Sequence, residues 1–207
     1  MRLGHVIYVV KDLDMAVKEW REKGFTVEYG RTKNPMNALI YFSEGPYIEL
    51  LKDGGMSAAA RKIMRIFGKG EFVNRFDFWA SASEGWTSLC IEKEPGGLER
   101  EIAYLDSVGI KGTYMKNLMR IDTQNRELKY KCYFTHDYNM PFLMSYFEID
   151  PKPKNFVHAN GIKGIAKVVY RTDKRNAEAL KHLVQDDILE VIEDGRTCIE
   201  AVEYFKG

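Results

Sequence analysis

His5 and Glu49 are the acid–base groups set in the middle of apolar, strand-like runs near the start of the chain. His5 lies within Leu3-Gly-His-Val-Ile-Tyr-Val-Val10, and Glu49 lies between Ile48 and Leu50. Alternate side chains of a strand share a face, so His5 groups with Ile7 and Val9, and Glu49 with Tyr47 and Leu51. A buried carboxylate without a partner is costly. A His and a Glu on neighbouring strands of one curved sheet satisfy each other or jointly hold a cation. Desolvation alone would raise the pKa of Glu49 towards the range of a general base. Arg120, between Met119 and Ile121, puts a guanidinium in an apolar setting. It either anchors a carboxylate or phosphate through a bidentate pair or closes an internal salt bridge. Asn37 follows Pro35 as a turn residue or as an amide aimed into a groove. His158 precedes Ala-Asn-Gly, a turn signal, and either closes over the groove or orders its own loop.

Composition narrows the function classes. The chain has 207 residues, 45% of them hydrophobic, and a formal net charge of +1. That length supports a sizeable core in one domain or two packed halves. Lys and Arg are dispersed, so no basic stripe points to nucleic acid. The longest apolar runs are strand-sized, which argues against a membrane span. Cys90, Cys132 and Cys198 lie far apart, an odd count without metal-knuckle spacing. They read as reduced thiols of a cytoplasmic protein. Gly68-Lys-Gly70 lacks P-loop spacing, and no Ser sits in a GxSxG elbow.

The elements that must position these groups recur. His5 to Asp12, a helical stretch ended by Gly24, a strand from Phe25 and a hairpin through Ser43-Glu-Gly-Pro46 form a first βαβββ module over residues 1–52. Residues 53–84 link, with a helix over Ala58 to Phe67 and an irregular aromatic segment from Phe72 that lines a pocket or packs a core. Residues 85–150 repeat the pattern. Residues 151–207 give a linker and a partial third module. A βαβββ module cannot bury its own apolar face, so copies pair. The expected fold is α+β: paired βαβββ modules forming a curved mixed sheet with helices outside, plus the partial third module. A groove between paired modules is where a small molecule would sit.

Leu3-Gly-His-Val-Ile-Tyr-Val-Val-Lys-Asp12 resembles the opening strand of the vicinal oxygen chelate superfamily. With Asn37-Ala-Leu, Tyr47-Ile-Glu-Leu, Trp86 and its strand, Arg120, Pro141-Phe-Leu and His158-Ala-Asn-Gly161, the chain is similar to the glyoxalase-like subgroup. The resemblance implies an enzyme of lyase, isomerase or oxygenase type acting on a small anionic molecule. The alternative is a metal-free binding or sequestering protein of the same fold. It also implies catalytic roles for His5 and Glu49, and substrate contacts at Asn37, Trp86, Arg120, Ser145 and His158. His5 and Glu49 match the metal-ligand positions of metal-dependent members. The paired module places Thr87 and Ser145 at the other two, and Met36 stands where the subgroup has a His. In the third copy, Gly164 replaces the His while Glu200 matches the Glu. Half a ligand set implies no tightly bound cofactor and at most a weak, exchangeable divalent ion. A homodimer is compatible with this reading.

Overall fold

The computed structural model describes all residues, 1–207. β1 (Arg2–Val10) is buried on both faces, as its near-continuous apolar sequence requires. Asp12 caps α1 (Leu13–Glu22) by accepting from the Met15 amide at 3.0 Å, and Gly24 ends it with φ of 82°. β2 (Glu28–Tyr29), β3 (Asn37–Ile40) and β4 (Tyr47–Lys52) complete the first module. The second comprises β5 (Gly85–Lys93), α4 (Glu99–Ser107), β6 (Gly112–Ile121), β7 (Glu127–Thr135) and β8 (Phe142–Ser145).

The two modules pair through β1 and β5 into one curled eight-stranded sheet, ordered β2-β3-β4-β1-β5-β8-β7-β6. β1 runs antiparallel to β5, while β4 and β8 run parallel to β1 and β5. The registers obey a pseudo-twofold. His5–Cys90 exchanges with Ile7–Ser88, Leu3–Ile91 with Tyr8–Trp86, and Arg2–Glu92 with Val9–Gly85, about the central pair Val6–Leu89.

The partial third module is β9 (Ile162–Thr172), α5 (Lys174–Leu183), β10 (Leu189–Glu193) and β11 (Cys198–Lys206). It forms a separate three-stranded sheet in the order β10-β9-β11. Glu200 there pairs with Arg171 at 2.9 Å.

Two cores follow from strand alternation. The convex face of the sheet buries Leu3, Val6 and Val10 against Leu13, Val17 and Trp20 of α1 and against Leu180 and Leu183 of α5. The concave face gathers Ile7, Val9, Leu51, Cys132, Phe134 and Phe142. Each such fully buried side chain contributes roughly 1.5–3 kcal/mol.

The linking segment departs from the sequence reading. The aromatic segment from Phe72 to Ser83, read as irregular, falls largely within the helix α3 (Gly70–Ser81), which follows α2 (Ala58–Ile66). Its aromatic content hid a helical period, with Phe72, Val73, Arg75 and Trp79 on the buried face. Arg75 is 1% exposed and fixes α3 to the turn between β7 and β8. Its guanidinium donates to the carbonyls of Thr135, Asp137, Tyr138 and Met140 at 2.8–3.2 Å. Burial lowers its pKa to about 10. No helix is long and apolar enough to cross a membrane.

Candidate functional site

The concave face of the sheet encloses a cavity of about 840 Å³, walled on one side by Phe76 and Trp79 of α3. β1 and β4 lie parallel with Ile7 opposite Glu49, which brings His5 and Glu49 to the same wall. His5 Nε2 lies 3.2 Å from Glu49 Oε2. The ring is turned so that neither of its nitrogens has a well-directed hydrogen-bond partner. The contact is therefore a close charge–imidazole approach rather than an aligned hydrogen bond. Tyr47 stacks on the His5 ring at 4.5 Å and 24°, and Phe142 meets it edge-on at 5.5 Å, so the imidazole orientation is set by packing.

Asn37, at the start of β3, donates its amide to Glu49 Oε1 at 2.6 Å. Burial pushes the Glu49 carboxyl up, but His5, the Asn37 amide and the positive charge of Arg120 outweigh it. The carboxyl is held below its ordinary value. The sequence expectation of a raised pKa is thereby corrected: desolvation was visible from the neighbours of Glu49, whereas the stabilising groups come from three other strands. Glu49 is the one carboxylate on the cavity wall, and the same wall includes Arg31, Lys33 and Arg120.

Arg120 reaches the cavity from β6. It donates from Nη1 to the Gly30 carbonyl at 2.9 Å and from Nη2 to the Tyr41 hydroxyl at 2.8 Å, and its guanidinium lies 5.2 Å from the Phe147 ring centroid. Neither the anion anchor alone nor the internal salt bridge describes it. It clasps the sheet while keeping a face on the cavity.

The structure brings His5, Asn37, Glu49 and Arg120 together and places the other three sequence candidates elsewhere. Trp86 packs edge-on against Tyr8 at 5.0 Å, in the convex core. His158 accepts from the Thr26 amide at 2.9 Å and packs among Phe25, Phe42 and Phe156. Ser145 accepts from the Gly96 amide at 3.2 Å and lines a different cleft. The cavity wall also holds residues that the sequence reading did not single out, among them Tyr130, Phe134 and Met144. The alternation Tyr130-Lys-Cys132-Tyr-Phe134 carried that signal for the concave face.

The pseudo-twofold assigns the counterparts of His5 and Glu49. His5 exchanges with Ser88, and Ile7, the neighbour of Glu49, exchanges with Cys90, the neighbour of Phe142. The equivalent positions are therefore Ser88 and Phe142, not Thr87 and Ser145. Motif matching could not fix this register, because a slip of one residue turns every side chain to the other face. A phenyl ring cannot ligate a metal, and no group of three or more His, Cys, Asp or Glu side chains is assembled. The donor set does not fit a tightly held metal ion.

A profile for the glyoxalase-like domain matches residues 3–185. The chain belongs to the glyoxalase-like family. This family sits within the vicinal oxygen chelate superfamily, and the paired βαβββ sheet is its fold. No curated protein matches this glyoxalase-like chain significantly. Among solved structures, it is similar to a hypothetical protein from Staphylococcus aureus (TM-score 0.60, 13% identity, covering 98% of this chain and 88% of that one). It is also similar to the 2,3-dioxygenase LapB from Pseudomonas sp. KL28 (0.54, 11%, 98% and 74%). A methylmalonyl-CoA epimerase from Streptomyces coelicolor aligns at TM-score 0.43 and 15% identity over 70% of this chain and 97% of that one. At 13% and 11% identity, the likeness to the first two is one of fold alone.

Proposed function

We propose that this glyoxalase-like protein is an enzyme that moves a proton at carbon in a small, largely apolar anion. The observation that carries the reading is the placement of Glu49, a single carboxylate on an aromatic and aliphatic cavity wall that otherwise bears Arg31, Lys33 and Arg120. Apolar walls bind the body of the molecule, and the three cations favour a negatively charged group on it. Glu49 is the general base. Asn37 and the His5 ring hold it in one orientation, which a proton-transfer step requires. Arg120 stabilises negative charge that develops on the substrate as the proton leaves. The reading favours isomerase- or lyase-type chemistry over oxygenation, since two strong donors alone, His5 and Glu49, do not build a metal site with several protein ligands.

The test is deuterium exchange. Aromatic and branched aliphatic 2-oxo acids and thioesters are incubated with the protein in D2O, and washout of the α-hydrogen is followed by NMR. Exchange by the wild type that falls about 10²–10⁴-fold in Glu49→Gln supports the base. Exchange that survives the substitution removes it.

A second reading is a binding protein without turnover. It is favoured by the depressed pKa of Glu49, which weakens it as a base, and by Phe142 at the pseudo-twofold counterpart of Glu49. Native mass spectrometry of protein purified from cells separates the two readings. A retained organic anion that the protein does not exchange in D2O favours binding.

A further inference from the structure

We propose a second anion site, separate from the cavity and built around an irregularity in β6, for the phosphoryl group of a small molecule. The registers Met115–Cys132 and Leu118–Tyr130 leave Lys116 and Asn117 opposite one residue of β7, Lys131. This is a β-bulge, a device that re-aims side chains. Lys129 lies two residues before Lys131 and so shares its face of β7. Ser145 of β8 is the register partner of Lys131. All five residues line one cleft of about 310 Å³, and none of the five lines the Glu49 cavity, with which the cleft shares only Met119 and Tyr130.

Charge and hydrogen bonding point to the ligand. Lys116, Lys129 and Lys131 line the cleft together with a single carboxylate, Glu148. The Lys116 ammonium lies 5.2 Å from the Tyr114 ring centroid and 4.0 Å from Glu99, and neither Lys129 nor Lys131 takes part in an ion pair. Like charges set opposite each other across a ladder destabilise it, as Lys116 and Lys131 are here, and a bound anion would relieve that repulsion. Ser145 is 3% exposed, and its oxygen accepts from the Gly96 amide, which leaves its hydroxyl proton to donate. Lysine ammonium groups and a hydroxyl donor match an oxyanion with several acceptor oxygens and more than one charge, which a phosphoryl group is and a lone carboxylate is not. The volume leaves room for an organic substituent on the phosphate.

The inference stands independently of the proton-transfer reading, because it uses no residue of the Glu49 cavity. The test is isothermal titration of the full chain, at low ionic strength in a phosphate-free buffer, with inorganic phosphate and separately with phenyl phosphate. Saturable binding that weakens roughly tenfold or more in Lys131→Gln and is recovered in Lys131→Arg supports the site. Tighter binding of phenyl phosphate assigns it to a phosphorylated organic molecule, and tighter binding of inorganic phosphate assigns it to the free ion. Both probes should lose affinity with added salt. Glu49→Gln should bind as the wild type does, so loss of the catalytic reading leaves this result intact. An unchanged urea midpoint in Lys131→Gln shows that the variant is folded. No binding up to about 10 mM, or equal binding by wild type and Lys131→Gln, overturns the proposal.

Discussion

Arg120 donates to the Gly30 carbonyl at 2.9 Å, and this bond joins opposite ends of the curled sheet. Gly30 directly follows β2, the first strand in the spatial order, and Arg120 belongs to β6, the last. Thr123 adds a hydrogen bond to Glu28 beside it. The half-barrel is therefore clasped across its open side, and the clasp forms part of the cavity wall. Arg120→Met should leave the Gly30 carbonyl and Tyr41 hydroxyl without their donors, at a cost of about 1–3 kcal/mol. Urea denaturation reads that loss. Arg120→Lys should not restore it, since one ammonium cannot reproduce the planar two-nitrogen fork. A midpoint equal to the wild type in Arg120→Met would show that the clasp contributes nothing to stability.

The Glu49 carboxyl sets the pH dependence. Burial raises its pKa, and the opposing effects of His5, Asn37 and Arg120 bring the net shift below the ordinary glutamate value of 4.5. A carboxyl with a depressed folded-state pKa contributes stability that is present above its unfolded value and is lost as pH falls through the folded one. Ionised Glu49 should therefore persist through neutral and mildly acidic conditions. A pH profile of exchange, or of ligand affinity, should show no Glu49 limb between pH 7 and 4.5. Asn37→Ala removes one of the bonds that favour the carboxylate and should move that limb upward. An unshifted limb in Asn37→Ala would break the assignment.

Arg75 should prove the most sensitive residue in the linking segment. Its buried guanidinium serves carbonyls of Thr135, Asp137, Tyr138 and Met140, and it also bonds the Thr135 hydroxyl. Arg75→Leu strands these acceptors, and the expected cost is about 3 kcal/mol or more. Because α3 carries Phe76 and Trp79 to the cavity, loss of this anchor should also weaken ligand binding, whereas the exposed neighbour Glu71→Gln should not. Tryptophan fluorescence during unfolding and ligand titration reads both effects. Retained stability in Arg75→Leu would mean that α3 is held by its apolar contacts alone.

What the sequence made legible follows from period and burial. Alternation grouped His5 with Ile7 and Val9 and Glu49 with Tyr47 and Leu51, while the pairing of β1 with β4 is what put both on one wall; the repeated strand–helix–strand pattern made the paired sheet legible. Arg120 announced itself as a guanidinium between two apolar neighbours. Its partners, Gly30 and Tyr41, lie far away in sequence and belong to the other module, so nothing local could name them. The register of the second module was illegible for the same reason. Ser88 and Phe142 are fixed by pairing across the sheet, and no motif near Thr87 or Ser145 encodes that pairing. The helical period of Gly70–Ser81 was masked because its buried face mixes aromatic rings with a buried arginine.

The pseudo-twofold also yields a prediction about metal. A tightly bound transition metal needs three or four protein donors at fixed geometry. His5 and Glu49 supply two, and their twofold counterparts supply a serine hydroxyl at Ser88 and a phenyl ring at Phe142. Any divalent ion should therefore be weak and exchangeable, and it should sit against His5 and Glu49. Dialysis of the protein against zinc or manganese, followed by desalting and elemental analysis, should retain well under one equivalent. Phe142→Glu places a carboxylate opposite Cys90, as Glu49 stands opposite Ile7, and should raise retention if it folds. Phe142→His tests the same position with a less costly buried group. Stoichiometric retention by the wild type that disappears in His5→Ala would show that the chain assembles further donors around that wall, and the twofold argument would fail with it.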